Sequence, residues 1–498
     1  MPGTPSESKP TLVRQMGLFA VIATGVSSMV GASINVVPVM IHRSVPGIGS
    51  HVVLAFLFAA VPAVLAGLAY AILGSAMPRA GGSYLYASRG LNPYLGFAAS
   101  FSQWFGLSIV IGVIAYISVP FLRDIALSAG LPETARYLDL AIVRVTLALG
   151  LIWGFVYVNV RGVKSYARWL LPMVIVIFAT GGIVILSGLF YDSGDFLEAL
   201  RLKEDIVFTP AASPGLEWPV FLSAAAVLFS SFIGFDAIAQ TGSEAVNPKR
   251  NLPLATLIAI LGVGGFYLLF TLSVYHIVPW SFVAERAQSE DITAPGLLSR
   301  VLPKGVDLVI LLGAAIALIN DLPAMLLSVS RLMFAWARDG IFPERITRIH
   351  PKYHSPHIAL FCAGVFASIG VLGSHFAGDF FLGIDIMVTS MLVNFLLMCL
   401  TVIAFPKVNG VLYRQIAIFR NRTAQLLIGW AGVLFISLFL AIHIYKDLNQ
   451  PRDGWYFHST YVWLIVMGLA SAVFILKWIS LRRDYPDLSA RFKKLPNS

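Results

Sequence analysis

Apolar residues run through this chain in long blocks, and polar residues collect in the gaps between them. The blocks cover residues 15–40, 52–77, 94–122, 138–160, 169–190, 219–245, 254–278, 307–336, 357–374, 380–405, 424–445 and 461–481. Most reach the ~20 residues that an α-helix needs to cross about 30 Å of hydrocarbon. None alternates with the two-residue period of a barrel strand. The pattern predicts an all-α polytopic membrane protein with twelve transmembrane helices. It divides into a tail (1–13), five spans (14–190), a loop (191–218), five more spans (219–405), two further spans (406–481) and a second tail (482–498). The first thirteen residues are polar and show no short apolar core followed by a cleavage site, so no signal peptide is expected, and nothing points to an added soluble domain.

Two blocks are interrupted. The first carries Gly25-Val26-Ser27-Ser28-Met29-Val30-Gly31-Ala32-Ser33-Ile34-Asn35-Val36-Val37-Pro38 in its middle, where a lipid-facing helix would carry leucine. The sixth carries Phe229-Ser230-Ser231-Phe232-Ile233-Gly234-Phe235-Asp236 in the same relative place. Backbone that leaves the helix at that depth must face protein, water or a ligand, because lipid satisfies neither N–H nor C=O. Glycine and serine also serve close helix packing. Matched interruptions five spans apart point further, to an inverted repeat of spans 1–5 and 6–10 with a transporter's binding site between them.

Composition sharpens the class and charge gives the orientation. The chain is 58% hydrophobic and 12% charged, with mean hydropathy +0.81, well outside soluble globular proteins. With both termini on one side, 24 of the 35 lysines and arginines fall in the tails and even-numbered loops. The loop 191–218 holds six acids against two bases. The positive-inside rule therefore puts both termini in the cytoplasm and the loop 191–218 outside, and the expected location is the cell membrane. The net charge of +10 then suits an anionic inner leaflet and calls for no nucleic acid. The sequon Asn421-Arg422-Thr423 would be cytoplasmic and unglycosylated. Cys362 and Cys399 both lie in expected spans, so neither a disulfide nor a cysteine metal site is expected. His350, His354 and His357 are separated by Pro351 and Pro356, which break any shared helical face and leave a solvated loop with no metal expected.

The loops carry a family resemblance. Met77-Pro78-Arg79-Ala80-Gly81-Gly82-Ser83-Tyr84-Leu85-Tyr86-Ala87-Ser88-Arg89-Gly90-Leu91-Asn92-Pro93-Tyr94-Leu95-Gly96-Phe97 resembles the signature of the amino acid, polyamine and organocation (APC) transporter superfamily. Gly234-Phe235-Asp236 with Glu244-Ala245-Val246-Asn247-Pro248-Lys249-Arg250-Asn251-Leu252-Pro253 resembles the family's sixth span and the loop after it. Ser330-Arg331-Leu332-Met333-Phe334-Ala335-Trp336-Ala337-Arg338-Asp339-Gly340-Ile341-Phe342-Pro343 with His350-Pro351 and Pro356 resembles the segment after the eighth. The resemblance implies a LeuT-like fold, five plus five inverted helices and two appended, working by alternating access. It further implies that a substrate carboxylate sits on the N–H groups of Gly31, Ala32 and Ser33. An ammonium would meet carbonyls around Met29 and Val30 and around Ser231, Phe232 and Ile233, beside Gly234, and the rings of Phe232, Phe235 and Trp104 would close over the ligand. Ser33 and Asn35 depart from the family pattern, which usually has glycine and then an aromatic there, and both add hydrogen-bonding groups. The fifth span, Trp169 to Phe190, has no lysine, so the buried amine that some relatives use for proton coupling is missing.

The remaining chemistry rests on a few buried polar residues. Asp321 lies fourteen residues from Asp307 and ten from Arg331, so about 15 to 20 Å of helix separate it from either boundary. A carboxylate there costs about 2.5 to 3.5 kcal/mol on insertion scales unless it is protonated, paired or hydrated. One reading has Asn320 and Asp321 capping a helix kinked at Pro323; the other makes both coupling or cation candidates, with Asp321 meeting a cavity and binding H+, Na+ or a cationic substrate group. Asp236 reads either as part of the site or as an N-cap. Asp385 sits near a span end and reaches the interface. Histidines fall in loops or near span ends and no HExxH pattern occurs, which disfavours a membrane-embedded enzyme. The expected function is secondary active transport of amino acids or related small amines, with no cofactor beyond a coupling H+ or Na+. The alternative is a sensor that binds without transporting.

Overall fold

A computed structural model describes residues 12–303, 305–377, 380–451, 454–484, 487–488 and 492–496, with backbone alone at 32, 33, 377, 380 and 381. Most of the tail expected over 1–13 lies outside the described residues.

Among the described residues eleven helices are long and apolar enough to cross a membrane, and each falls on one of the expected blocks, from Gly49–Ala76 to Ser459–Asp484. The exception is the first block. It is divided into Leu18–Met29, Ala32–Asn35 and Val37–Ser44, none of which crosses by itself. The sixth block is continuous in outline, Trp218–Gln240, but changes character inside. An α-helix, Trp218–Leu228, gives way to a 3₁₀ turn, Phe229–Phe232, and a short helix, Ala237–Gln240, follows.

The spans differ in how much protein surrounds them. Trp218–Gln240, Val306–Arg338, Leu382–Val408 and Pro93–Ser128 are mostly enclosed, whereas Ala141–Val160 and Ser459–Asp484 turn most of their apolar surface outward. Small residues let the enclosed helices approach: a Cβ on Gly112 would run into the backbone of Gly370 and Val371. Between spans the chain adds short helices. Gly82–Gly90 opens on Gly81 at φ 104°, a left-handed conformation that only glycine adopts cheaply. Ser193–Glu204 opens on a capping box made by Asp192 and Asp195.

Candidate functional site

The first break is held open by other helices. Leu18–Met29 ends at Val30 in an extended conformation, with its N–H still bonded to the Val26 carbonyl at 2.8 Å. Gly31 then passes against the Asp321 carboxylate so closely that a Cβ there would collide with it. The Met29 carbonyl accepts a hydrogen bond from the Tyr267 hydroxyl at 2.5 Å, and the Asn35 amide donates to the Gly31 carbonyl at 3.2 Å. Asn320 donates to Ser27 Oγ at 2.7 Å. Neither Asn320 nor Asp321 ends a helix, because Val306–Arg338 runs unbroken through Pro323.

The second break is glycine-driven. Ile233 is extended, Gly234 has φ +133°, and a Cβ on Gly234 would strike the Ser28 carbonyl, so the two breaks touch. Asp236 stands before Ala237–Gln240 but its side chain does not cap that helix. Its carboxylate turns back instead, accepting from the Gly234 N–H at 3.2 Å and from the Gln103 amide. The chain of bonds continues. Ser83 Oγ donates to Gln103 Oε1 at 2.6 Å and lies 2.6 Å from the Tyr70 hydroxyl, which accepts from Asn394 at 2.7 Å. All of these groups are buried, where an unpaired carboxylate or amide is costly.

Beside the breaks lies a cavity of about 30 Å³ lined by Ser28, Ser230, Ile233 and Asp321, with Val37, Val110, Val113, Ile114, Met325, Ile384 and Met387 as its apolar wall. That volume admits a water or two, so the site is closed around itself. Of the residues expected from sequence, Ile233 and Asp321 line it, while Met29, Val30, Gly31, Asn35, Ser231 and Gly234 belong to the breaks beside it. The side chains of Ala32 and Ser33 lie outside the described residues. None of the three expected rings lines the cavity. Phe232 lies 5.1 Å from Phe56 and 6.0 Å from Tyr267, and Phe235 stacks on Phe395 at 5.0 Å. Trp104 sits among Phe101, Trp336 and Phe366, at 5.2, 5.8 and 4.7 Å. Gln103, Tyr267, Tyr70 and Asn394 were not legible as site residues. Their one signal was a lone polar group in an apolar run.

Both ends of the bundle are fastened. At the arginine-rich end, Arg331 pairs with Glu244 at 2.6 Å and Arg89 pairs with Asp339 through two bonds, 2.6 and 3.0 Å, all four side chains being buried. Tyr84 donates to the same Asp339 carboxylate at 2.7 Å. Burial works against the Arg89 charge, but Asp339 beside it more than compensates and holds the guanidinium's pKa above its ordinary value. The segment before the first break is tied to the segment after the second: Gln15 and Met16 N–H both donate to the Glu244 carbonyl at 2.9 Å. At the opposite end Arg43 donates to the Ala287 and Glu290 carbonyls and pairs with Asp291, at 2.5, 2.7 and 2.6 Å.

Comparison with known proteins agrees with this architecture. The family described as amino acid permease matches residues 16–470. The chain is 30% identical over 152 residues to the branched-chain amino acid permease BcaP of Bacillus subtilis (strain 168), a stretch covering 30% of this chain and 31% of that protein. It is 33% identical over 145 residues to the chloroplastic cationic amino acid transporter 9 of Arabidopsis thaliana, covering 29% and 24%. It is 23% identical over 327 residues to the low-affinity putrescine importer PlaP of Escherichia coli (strain K12), covering 64% and 63%. The first two matches thus span under a third of those relatives' lengths. The family match, by contrast, runs from just ahead of the first break into the last span, taking in both interrupted helices and the fastened loops, and on that match the chain belongs to the amino acid permease family.

Proposed function

We propose that this chain is a secondary active transporter that moves amino acids or related small amines across the cytoplasmic membrane by alternating access, with both termini cytoplasmic. The observation that carries the proposal is the meeting of the two breaks with the Asp321 carboxylate set against Gly31. A substrate ammonium, or a coupling H+ or Na+, binds Asp321 and the carbonyls of residues 29–30 and 231–233. A substrate carboxylate takes the N–H groups of residues 31–33. The closed cavity and the fastenings at both ends support a state between the two open ones. Opening toward the cytoplasm requires the buried pairs Arg331–Glu244 and Arg89–Asp339 to part. Substrate and ion shift that equilibrium only as far as they bind the open and closed states with different affinity.

Uptake by proteoliposomes tests this reading. The names of the relatives make branched-chain and cationic amino acids and putrescine the first compounds to try. Accumulation against a gradient supports transport; saturable binding without accumulation makes the protein a sensor. Orientation is tested by cysteines at the exposed positions Ser193 and Lys352. An impermeant reagent is expected to label Ser193→Cys from outside and Lys352→Cys only after the membrane is opened, and labelling of both from one side refutes the orientation.

A further inference from the structure

Two pockets adjoin at the arginine-rich end, where the last span meets the start of the third. One, of about 490 Å³, is walled by Arg482, Lys493, Asn92, Leu488 and Phe492, with the already paired Arg89 at its back. The other, of about 350 Å³, is apolar and is walled by Tyr94, Phe474, Ile475 and Ile479. Asn92, Pro93 and Trp478 belong to both, so the two form one continuous groove.

No acidic side chain lines either pocket among the described residues. The Arg89 charge is spent on Asp339. Arg482 and Lys493 are exposed, and neither has a carboxylate partner among the described residues. The Arg482 guanidinium lies 6.0 Å from the Trp478 ring, at the mouth shared by the two pockets. The apolar half sits deeper along the same helix: seven residues separate Ile475 from Arg482, about 10 Å of rise. Ile475 and Ile479 face outward and are half exposed, and Tyr94 closes the far side by a 3.0 Å contact between its hydroxyl and Ser471.

We propose that this groove binds an anionic phospholipid, with its phosphate between Arg482 and Lys493 and one acyl chain along Ile475 and Ile479. A basic chamber joined to an apolar channel that opens on the membrane-facing side of a span matches a lipid's two parts, whereas a free anion would leave the channel unused. The bound lipid also holds down the segment that carries Lys493. That segment lies against Arg89 of the Arg89–Asp339 pair: the Arg89 Nε–H donates to the Lys494 carbonyl at 3.3 Å, and Phe492 lies 4.9 Å from the Arg89 guanidinium. The proposal stands whether the protein transports or only binds its substrate.

The test is thermal unfolding of the purified full chain in detergent, with phosphatidylglycerol, with phosphatidylcholine of the same acyl chains, or with inorganic phosphate. A ligand of the native state raises the melting temperature. Phosphatidylglycerol is expected to raise it beyond phosphatidylcholine, and phosphate is expected to leave it unchanged. The Arg482→Gln/Lys493→Gln double variant is expected to lose the phosphatidylglycerol increment. Ile479→Trp, which fills the channel and leaves both charges in place, is expected to lose it too, and Arg483→Gln, outside both pockets, is expected to keep it. Each increment is read against the same variant in phosphatidylcholine, so a general loss of stability does not mimic the result. Equal effects of the two lipids, a full increment with phosphate alone, or an unreduced increment in either the double variant or Ile479→Trp would overturn the proposal.

Discussion

The two interrupted spans have similar sequences and opposite wiring. The second break carries its own acid, and that acid is already engaged: Asp236 takes the Gly234 N–H and the Gln103 amide, and the bonds run on through Ser83 and Tyr70 to Asn394. The first break carries no acid, and the carboxylate set against it, Asp321, comes from a helix nearly three hundred residues away in sequence. Asp321 also lines the cavity, and Asp236 does not. The second break is thus tied to the surrounding helices through its own acid, while the first lies directly against the carboxylate of another helix. Substitutions at the second break should act on stability, and substitutions at the first on binding.

The largest effect is expected at Gly31. Any Cβ there meets the Asp321 carboxylate, and the branched side chain of Gly31→Val adds bulk on the backbone a ligand must approach. Substrate binding and uptake are expected to vanish while the protein still folds, read by ligand-induced thermal shift beside the unliganded melting curve. Normal affinity in Gly31→Val would place the site elsewhere.

Gly234→Ala should be nearly as damaging but in a different measurement. A residue with a side chain at φ +133° is strained by about 1 to 3 kcal/mol, and its Cβ would strike the Ser28 carbonyl. Lowered melting temperature is expected even without substrate. A smaller effect is expected from Gln103→Leu, which takes one partner from the buried Asp236 carboxylate at a cost of about 1 to 3 kcal/mol. Melting temperature should fall and ion dependence of uptake should not change. A changed ion dependence with unchanged stability would make Asp236 a coupling group and erase the contrast between the breaks.

Much of this was legible in the sequence, and the limits have physical causes. The span boundaries followed from hydropathy because burial in hydrocarbon leaves so few alternatives. Both breaks were marked by glycine and serine inside apolar blocks, and Asp321 by its distance from any boundary. What sequence could not supply was pairing across helices. Nothing local to Met29 announces that Tyr267 will bond its carbonyl, and Asn320, weighed as a cap or a coupling group, is bonded to Ser27 in the first span. Aromatic residues were the least informative. Phe232, Phe235 and Trp104 were grouped by their nearness to the motifs in sequence, yet each joins a separate ring cluster, because any ring in a helical bundle finds ring neighbours.

The central claim is that Asp321 is the charge that binds substrate or coupling ion at the first break. Uptake by proteoliposomes containing wild-type protein or Asp321→Asn, measured across pH and with and without sodium, tests it most directly. The neutral isostere should fold and insert normally but lose the pH or sodium dependence of uptake, or the affinity for cationic substrates. Wild-type rate, ion dependence and substrate range in Asp321→Asn would contradict the account and leave Asp321 a structural residue of its helix.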